Sequence, residues 1–451
     1  MTVDVDVVVL GMGPGGEEVG GRLAQQGLSV VGIEKGLLGG ECPYWACVPT
    51  KMMVRAAGLL AEARRVPGLA GEVEVRPDWT PVAARIRDEA TDNWDDKVAV
   101  DRFTGKGGRF VRGEGRLAGP GRVAVGDEVF AAGRAVVVAT GTEPSIPPVD
   151  GLADTPYWTN REAVAVTAPP ASLAVLGGGA VGLEFAQVFA RFGAEVTVIE
   201  SADRLLEREE PEASTVVLEA LRRDGVSVRV STSARRVSHD GSAFAVALGD
   251  GTVVVAERLL VATGRHCDLA RIGVDTVGLD PSAAFVEVDD RLRAGEGLWA
   301  VGDVTGRGAF THVAMYQADI AVRAILGQDG PAADYRALPR VTFTDPEVGS
   351  VGLTESAARS AGLPVRCAAA SVPSSARGWI HKAGNEGVVK LVADADRGVL
   401  VGATSAGPVG GEVLAPLALA VHAEVPLDRL RNMIYAYPTF ARGIADALRD
   451  L

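Results

Sequence analysis

Two stretches of this chain carry the same succession of strand, glycine loop, helix and strand, and that repetition restricts the fold more than any other feature. The first runs from the apolar segment Val5 to Leu10 through Gly11-Met12-Gly13-Pro14-Gly15-Gly16 into a helical stretch from Glu17 to about Gln26, then a strand ending Val31-Gly32-Ile33-Glu34. The second starts at Leu173-Ala174-Val175-Leu176, passes through Gly177-Gly178-Gly179-Ala180-Val181-Gly182 into a helix, and ends Val196-Thr197-Val198-Ile199-Glu200. In both copies the acid lies 23 residues after the first glycine. One glycine-rich turn is weak evidence, but two at identical spacing in the same local setting are specific for dinucleotide binding. Gly11 and Gly177 permit the tight turn, Gly13 and Gly179 let backbone approach a pyrophosphate, and Gly16 and Gly182 let helix and strand pack closely. Glu34 and Glu200 are placed to accept from ribose hydroxyls. A carboxylate at Glu200 repels a 2′-phosphate and favours NADH over NADPH, although Arg204 close behind is a residue type that accommodates that phosphate.

Directly after the first copy comes Gly39-Gly40-Glu41-Cys42-Pro43-Tyr44-Trp45-Ala46-Cys47-Val48-Pro49-Thr50-Lys51. In a regular helix two residues five apart differ by roughly 7.5 Å of rise, beyond what a disulfide accepts. If these cysteines pair, the helix is distorted between them, and Pro43 and Pro49 can supply the distortion. Two reduced structural cysteines are the alternative. Metal binding is set aside, because a zinc site needs four ligands and the nearest histidine in sequence is His239.

At 451 residues the chain exceeds one core, so two to four domains are expected. Four cysteines fit a reducing compartment. The N-terminal residues carry acids and no basic region before the short run Val7 to Leu10, so the expectation is a soluble, cytoplasmic protein with no membrane partner. A net charge of −13 argues against nucleic acid.

Two dinucleotide fingerprints with a cysteine pair after the first resemble the pyridine nucleotide-disulfide oxidoreductases, the family of dihydrolipoamide dehydrogenase, glutathione reductase and mercuric reductase. The likeness extends through Gly113-Glu114-Gly115-Arg116, Val138-Ala139-Thr140-Gly141, Val261-Ala262-Thr263-Gly264-Arg265, Ala300-Val301-Gly302-Asp303 and Phe343-Thr344-Asp345-Pro346-Glu347-Val348-Gly349. It implies an α/β fold with two Rossmann-like dinucleotide-binding domains plus a C-terminal α+β dimerisation domain. FAD would occupy a split domain, 1–147 and 265–336, with NAD(P)H on an inserted domain, 148–264, and a dimerisation domain from 337 to 451. The resemblance further implies that Gly115, Thr140, Gly141, Asp303 and Ala314 join the first fingerprint at FAD, that Gly264 belongs to the NAD(P)H side, and that the enzyme is a homodimer. It gives Cys47 as the flavin-facing thiolate of a Cys42–Cys47 disulfide, Cys42 as the attacking thiolate, and Lys51 with Glu184 as a pair beside the flavin ring.

The pattern breaks near the end. Disulfide reductases of this family carry a histidine followed five residues later by glutamate; here Tyr437 and Arg442 stand in those places. An unperturbed tyrosine titrates near about 10, so Tyr437 is a poor general base; it is a proton donor or orienting hydroxyl for the substrate, or else it fills the dimer interface. Mercuric reductases also place a tyrosine there, but add a vicinal cysteine pair, whereas this chain has no cysteine after Cys367. Tyr44 and Trp45 put two aromatics beside the cysteines, either lining an entrance or packing. The expected acceptor is a small disulfide or dithiol; direct reduction of a quinone from flavin, and a weakly catalytic redox sensor, are the alternatives. His312, His422, Cys267 and Cys367 carry no motif that assigns them chemistry.

Overall fold

A computed structural model of the chain describes residues 2–451. It divides into two compact units, one comprising the chain up to Pro49, Ala84–Ser145 and Arg265–Asp334, the other Thr50–Ala83, Ile146–Gly264 and Tyr335–Leu451.

The first unit is built on a mostly parallel sheet whose main path runs Arg293–Gly295, Leu298–Ala300, Glu128–Val138, β1 (Thr2–Leu10), β2 (Val30–Glu34) and Arg109–Arg112. Val7, Val8 and Val9 are wholly buried, as expected of a central parallel strand covered on both faces. β1 pairs in parallel with β2 on one side and with Glu128–Val138 on the other. Successive connections therefore leave β1 in opposite directions and open a crevice at its carboxyl end, where the glycine loop sits. Helix α1 (Pro14–Gln25) starts three residues earlier than the sequence pattern predicts. Pro14 occupies its first turn, where a missing N–H costs nothing and the fixed φ suits the helix.

The second unit contains the repeat. Its parallel sheet has the order Ser227–Arg229, Glu195–Ile199, Ser172–Leu176, Arg258–Val261, again with the loop-bearing strand between two parallel neighbours. A five-stranded antiparallel sheet, Pro339–Thr342, Glu347–Gly352, Val399–Gly407, Val388–Asp394 and Val365–Ser371, forms the C-terminal part. Helices Gly410–His422 and Gly443–Asp450 contribute Val413, Leu414, Leu417, Ile444 and Leu448 to its core.

Between the two cysteines the helix is broken. α2 covers only Glu41–Tyr44, Trp45 and Ala46 lie outside helical structure, and α3 (Cys47–Arg65) starts at the second cysteine.

Candidate active site

The two glycine loops are built alike to atomic detail. Gly11 has φ +93°, and a Cβ there would lie 2.4 Å from the Ala139 carbonyl oxygen; Gly177 has φ +108° and would meet Ala262 O at 2.3 Å. A Cβ at Gly16 would strike Gly11 O at 2.1 Å, and one at Gly182 would strike Gly177 O at 2.2 Å. By contrast, a Cβ on Gly13 or Gly179 would have nothing within 4 Å. The outer glycines are required by the protein's own packing, whereas the middle glycine faces open space that a diphosphate can fill. Each acid secures its loop. Glu34 accepts from the N–H of Met12 (2.9 Å) and Gly36 (2.7 Å), and Glu200 from the N–H of Gly178 (2.6 Å) and Ala202 (2.7 Å).

In the first unit a cleft of about 590 Å³ opens from this loop. Gly11, Glu34, Gly115, Thr140, Gly141, His266 and Arg271 line it. A Cβ at Gly115 would press on Leu10 and Ile33, and the buried hydroxyl of Thr140 has no hydrogen-bond partner among the described residues. Asp303 accepts from the Thr142 hydroxyl at 2.9 Å. Burial pushes the Asp303 carboxyl above the ordinary carboxylate range, and Thr142 and Arg265 only partly offset this. Ala314 packs against Gly15, where an added Cβ would lie 3.2 Å away. Open space at Gly13, an unfulfilled hydroxyl at Thr140 and the Glu34 carboxylate on the cleft wall fit an adenine dinucleotide such as FAD. In the second unit Gly264 has φ +128° with open space beside it.

The cysteine turn is pinned by aromatic contacts. Cys42 and Cys47 are both half-buried. Cys47 Sγ lies 3.5 Å from the hydroxyl of Thr311, the first residue of helix Thr311–Leu326, so the sulfur sits at the start of α3 and against the start of a second helix. Tyr44 is buried, and Trp45 stacks on Trp94 with ring centroids 5.4 Å apart and planes inclined by 24°. These aromatics pack. Thr311 and Trp94 were not foreseen from sequence, because no local spacing links them to the cysteines.

Lys51 and Glu184 meet within the second unit, Nζ to Oε2 at 2.6 Å. The other carboxylate oxygen of Glu184 accepts from the Phe343 N–H at 2.8 Å, and the Lys51 ammonium lies 4.7 Å from the centroid of the Phe343 ring. Phe343 is thus a third member that sequence alone did not select. Tyr437 is 69 % exposed, and the Arg442 guanidinium lies 5.5 Å from its ring centroid. Cys267 and Cys367 are half-buried, and burial raises both thiols to about 11.

The chain belongs to the class I pyridine nucleotide-disulfide oxidoreductases, FAD-dependent enzymes: residues 5–318 match the family model "pyridine nucleotide-disulphide oxidoreductase" and residues 338–448 match its dimerisation domain. Among curated relatives, a dihydrolipoyl dehydrogenase of Halobacterium salinarum is 33 % identical, with 99 % of this chain and 96 % of that protein covered. A mercuric reductase of Shigella flexneri is 32 % identical over 97 % of this chain and 79 % of its own length. Among solved structures, LpdA of Mycobacterium tuberculosis is similar with a TM-score of 0.86 and 27 % identity, covering 98 % of this chain and 99 % of that one. The flavoprotein disulfide reductase RclA of Escherichia coli, at 24 % identity and TM-score 0.87, with 99 % of each chain covered, shares the fold. No helix among the described residues is long and apolar enough to cross a membrane.

Proposed function

We propose that the chain is an NADH-dependent flavoprotein disulfide reductase whose Cys42–Cys47 pair passes electrons to a small disulfide. The observation that carries this reading is the seat of Cys47: its sulfur lies 3.5 Å from the Thr311 hydroxyl, at the first residues of two helices. Helix N-termini carry positive partial charge and a hydroxyl can donate, so negative charge on this sulfur is favoured.

FAD, when bound, carries two electrons from the nicotinamide to the disulfide. Gly11, Gly13, Gly16, Glu34, Gly115, Thr140, Gly141, Asp303 and Ala314 would hold it. Opening the disulfide consumes two electrons and two protons, one proton supplied by NADH and one by solvent. Cys42 thiolate then attacks one sulfur of the acceptor, the other sulfur leaves as a thiol, and Cys47 displaces the acceptor from Cys42 to restore the disulfide. Tyr437 offers a hydroxyl that orients the substrate or donates a proton to it.

NADH is favoured over NADPH by two features. Glu200 stands at the ribose position, and Arg204 is occupied by its own loop, donating to Leu206 O at 3.1 Å and Glu207 O at 2.5 Å. A cytoplasmic homodimer is supported by the low cysteine count and the dimerisation-domain match.

Anaerobic titration with NADH tests the reading. A long-wavelength thiolate-to-flavin absorption at two electrons, lost in Cys47→Ser, is expected. Bleaching with no such band, together with undiminished quinone turnover in Cys42→Ser, would make the cysteines bystanders and assign the chain to direct reduction of small acceptors.

A further inference from the structure

The segment that carries Trp94 is built at a cost. A π-helical turn, Ile86–Ala90, ends at buried Thr91, whose hydroxyl donates to Ile86 O at 3.0 Å, and the next three residues, Asp92, Asn93 and Trp94, have φ of +48°, +56° and +58°. Three consecutive non-glycine residues in left-handed backbone are strained, because each Cβ crowds its own peptide. The indole N–H of Trp94 adds a second cost, being buried with no acceptor among the described residues. Local hydrogen bonds, Asn93 N–H to Arg87 O at 2.6 Å and Trp94 N–H to the Thr91 hydroxyl at 3.3 Å, satisfy this backbone but leave the indole unpaired.

What the strained backbone achieves is contact with the cysteine turn. It sets the Trp94 ring on Trp45, one of the four residues between the cysteines. Two residues on, buried Asp96 accepts from the Leu38 N–H at 2.6 Å and pairs with Arg112, which fixes the chain entering Gly39-Gly40 and Cys42. The same short segment therefore grips the turn on both sides of Cys42.

We propose that Trp94 is a positioning residue for the redox pair: by stacking on Trp45 it holds the Cys42 turn in the geometry that lets Cys42 and Cys47 bond, and so sets their dithiol–disulfide equilibrium. The inference rests on the redox-pair reading above. A turn already ordered loses little freedom when the disulfide closes, whereas a loosened turn gains freedom mainly as dithiol. Removing the stack therefore favours the dithiol, with two electrons and two protons taken up per disulfide opened.

The test equilibrates the purified flavoprotein in oxidised and reduced dithiothreitol mixtures, quenches with iodoacetamide, and reads the Cys42–Cys47 disulfide fraction by mass spectrometry. Trp94→Leu, which keeps apolar bulk, and Trp94→Ala are expected to shift the equilibrium three- to tenfold toward dithiol, about 15–30 mV for a two-electron couple. Trp94→Phe, which keeps a ring to stack, is expected to stay within twofold of the parent. A folded Trp94→Leu protein with the parent equilibrium overturns the proposal, as does a Trp94→Phe shift equal to that of Trp94→Leu. Parent protein that forms no Cys42–Cys47 disulfide in any mixture removes the redox-pair reading and the proposal together.

Discussion

Glu184 holds two partners at once, the Lys51 ammonium and the Phe343 N–H. Glu184→Ala deprives both, and because the acid is buried the expected loss is about 2–3 kcal/mol. It should be read as a lower denaturant midpoint at unchanged slope; an unchanged midpoint would mean that water replaces the carboxylate without penalty. The cysteines divide into two kinds by surroundings. Cys267 and Cys367, raised to about 11 by burial and by Asp303 and Glu355 respectively, should alkylate with iodoacetamide at rates that climb about tenfold per pH unit from 7 toward 11. A plateau below pH 9 at either residue would contradict this. Cys42 and Cys47 could be singled out in sequence because their motif is local. Thr311 could not, since it lies 264 residues from Cys47 and only the folded chain brings its hydroxyl to the sulfur.

The glycine loops behave as paired elements in which neighbouring positions answer to different demands. Gly16→Ala forces a methyl toward Gly11 O and should destabilise the fold by about 1–3 kcal/mol. Gly13→Ala meets no protein atom, so its melting temperature without flavin should match the parent while flavin retention falls, measured by absorbance after gel filtration. Equal melting losses in the two variants would undo the distinction. These elements were legible because strand, loop and helix follow within a short stretch, each written in residue type and spacing. The onset of α1 at Pro14 instead of Glu17 was misjudged because glycines 15 and 16 look like loop while their backbone is already helical. Trp94 was illegible for another reason: its role depends on left-handed backbone that no propensity would assign to tryptophan.

Across the second unit, Lys390 ties helix Pro211–Arg223 to the C-terminal sheet. It is 5 % exposed and lies 3.0 Å from Glu210, 2.8 Å from Glu212 and 2.9 Å from Glu355. Burial alone would lower its pKa, but the carboxylates more than reverse that. Hydrogen bonds from Lys390 and Arg359 hold Glu355 down at about 2. A depressed folded-state pKa contributes stability above the ordinary value near about 4.3, and that contribution is lost as pH falls toward 2. Lys390→Met should cost about 3–5 kcal/mol at neutral pH by leaving three acids together, and the gap from the parent should narrow below pH 4 as they protonate. A gap that widens on acidification would show that the cluster is not held by charge. At the scale of the assembly, Ile434 at 96 % and Trp379 at 73 % exposure are apolar surface that a second copy would cover. Sedimentation should give a dimer for the parent and a shift toward monomer for Ile434→Glu; a monomeric parent would refute the twofold assembly. Glu200 carries a consequence for how such a molecule can diverge. Its carboxylate ties down the N–H of Gly178 and of Ala202, so the residue proposed above to discriminate between coenzymes is also a fastener of its own glycine loop. A lineage cannot change coenzyme at this one position without loosening the cradle. The accessible route begins next door, with Arg204 released from its own carbonyls before the acid is given up.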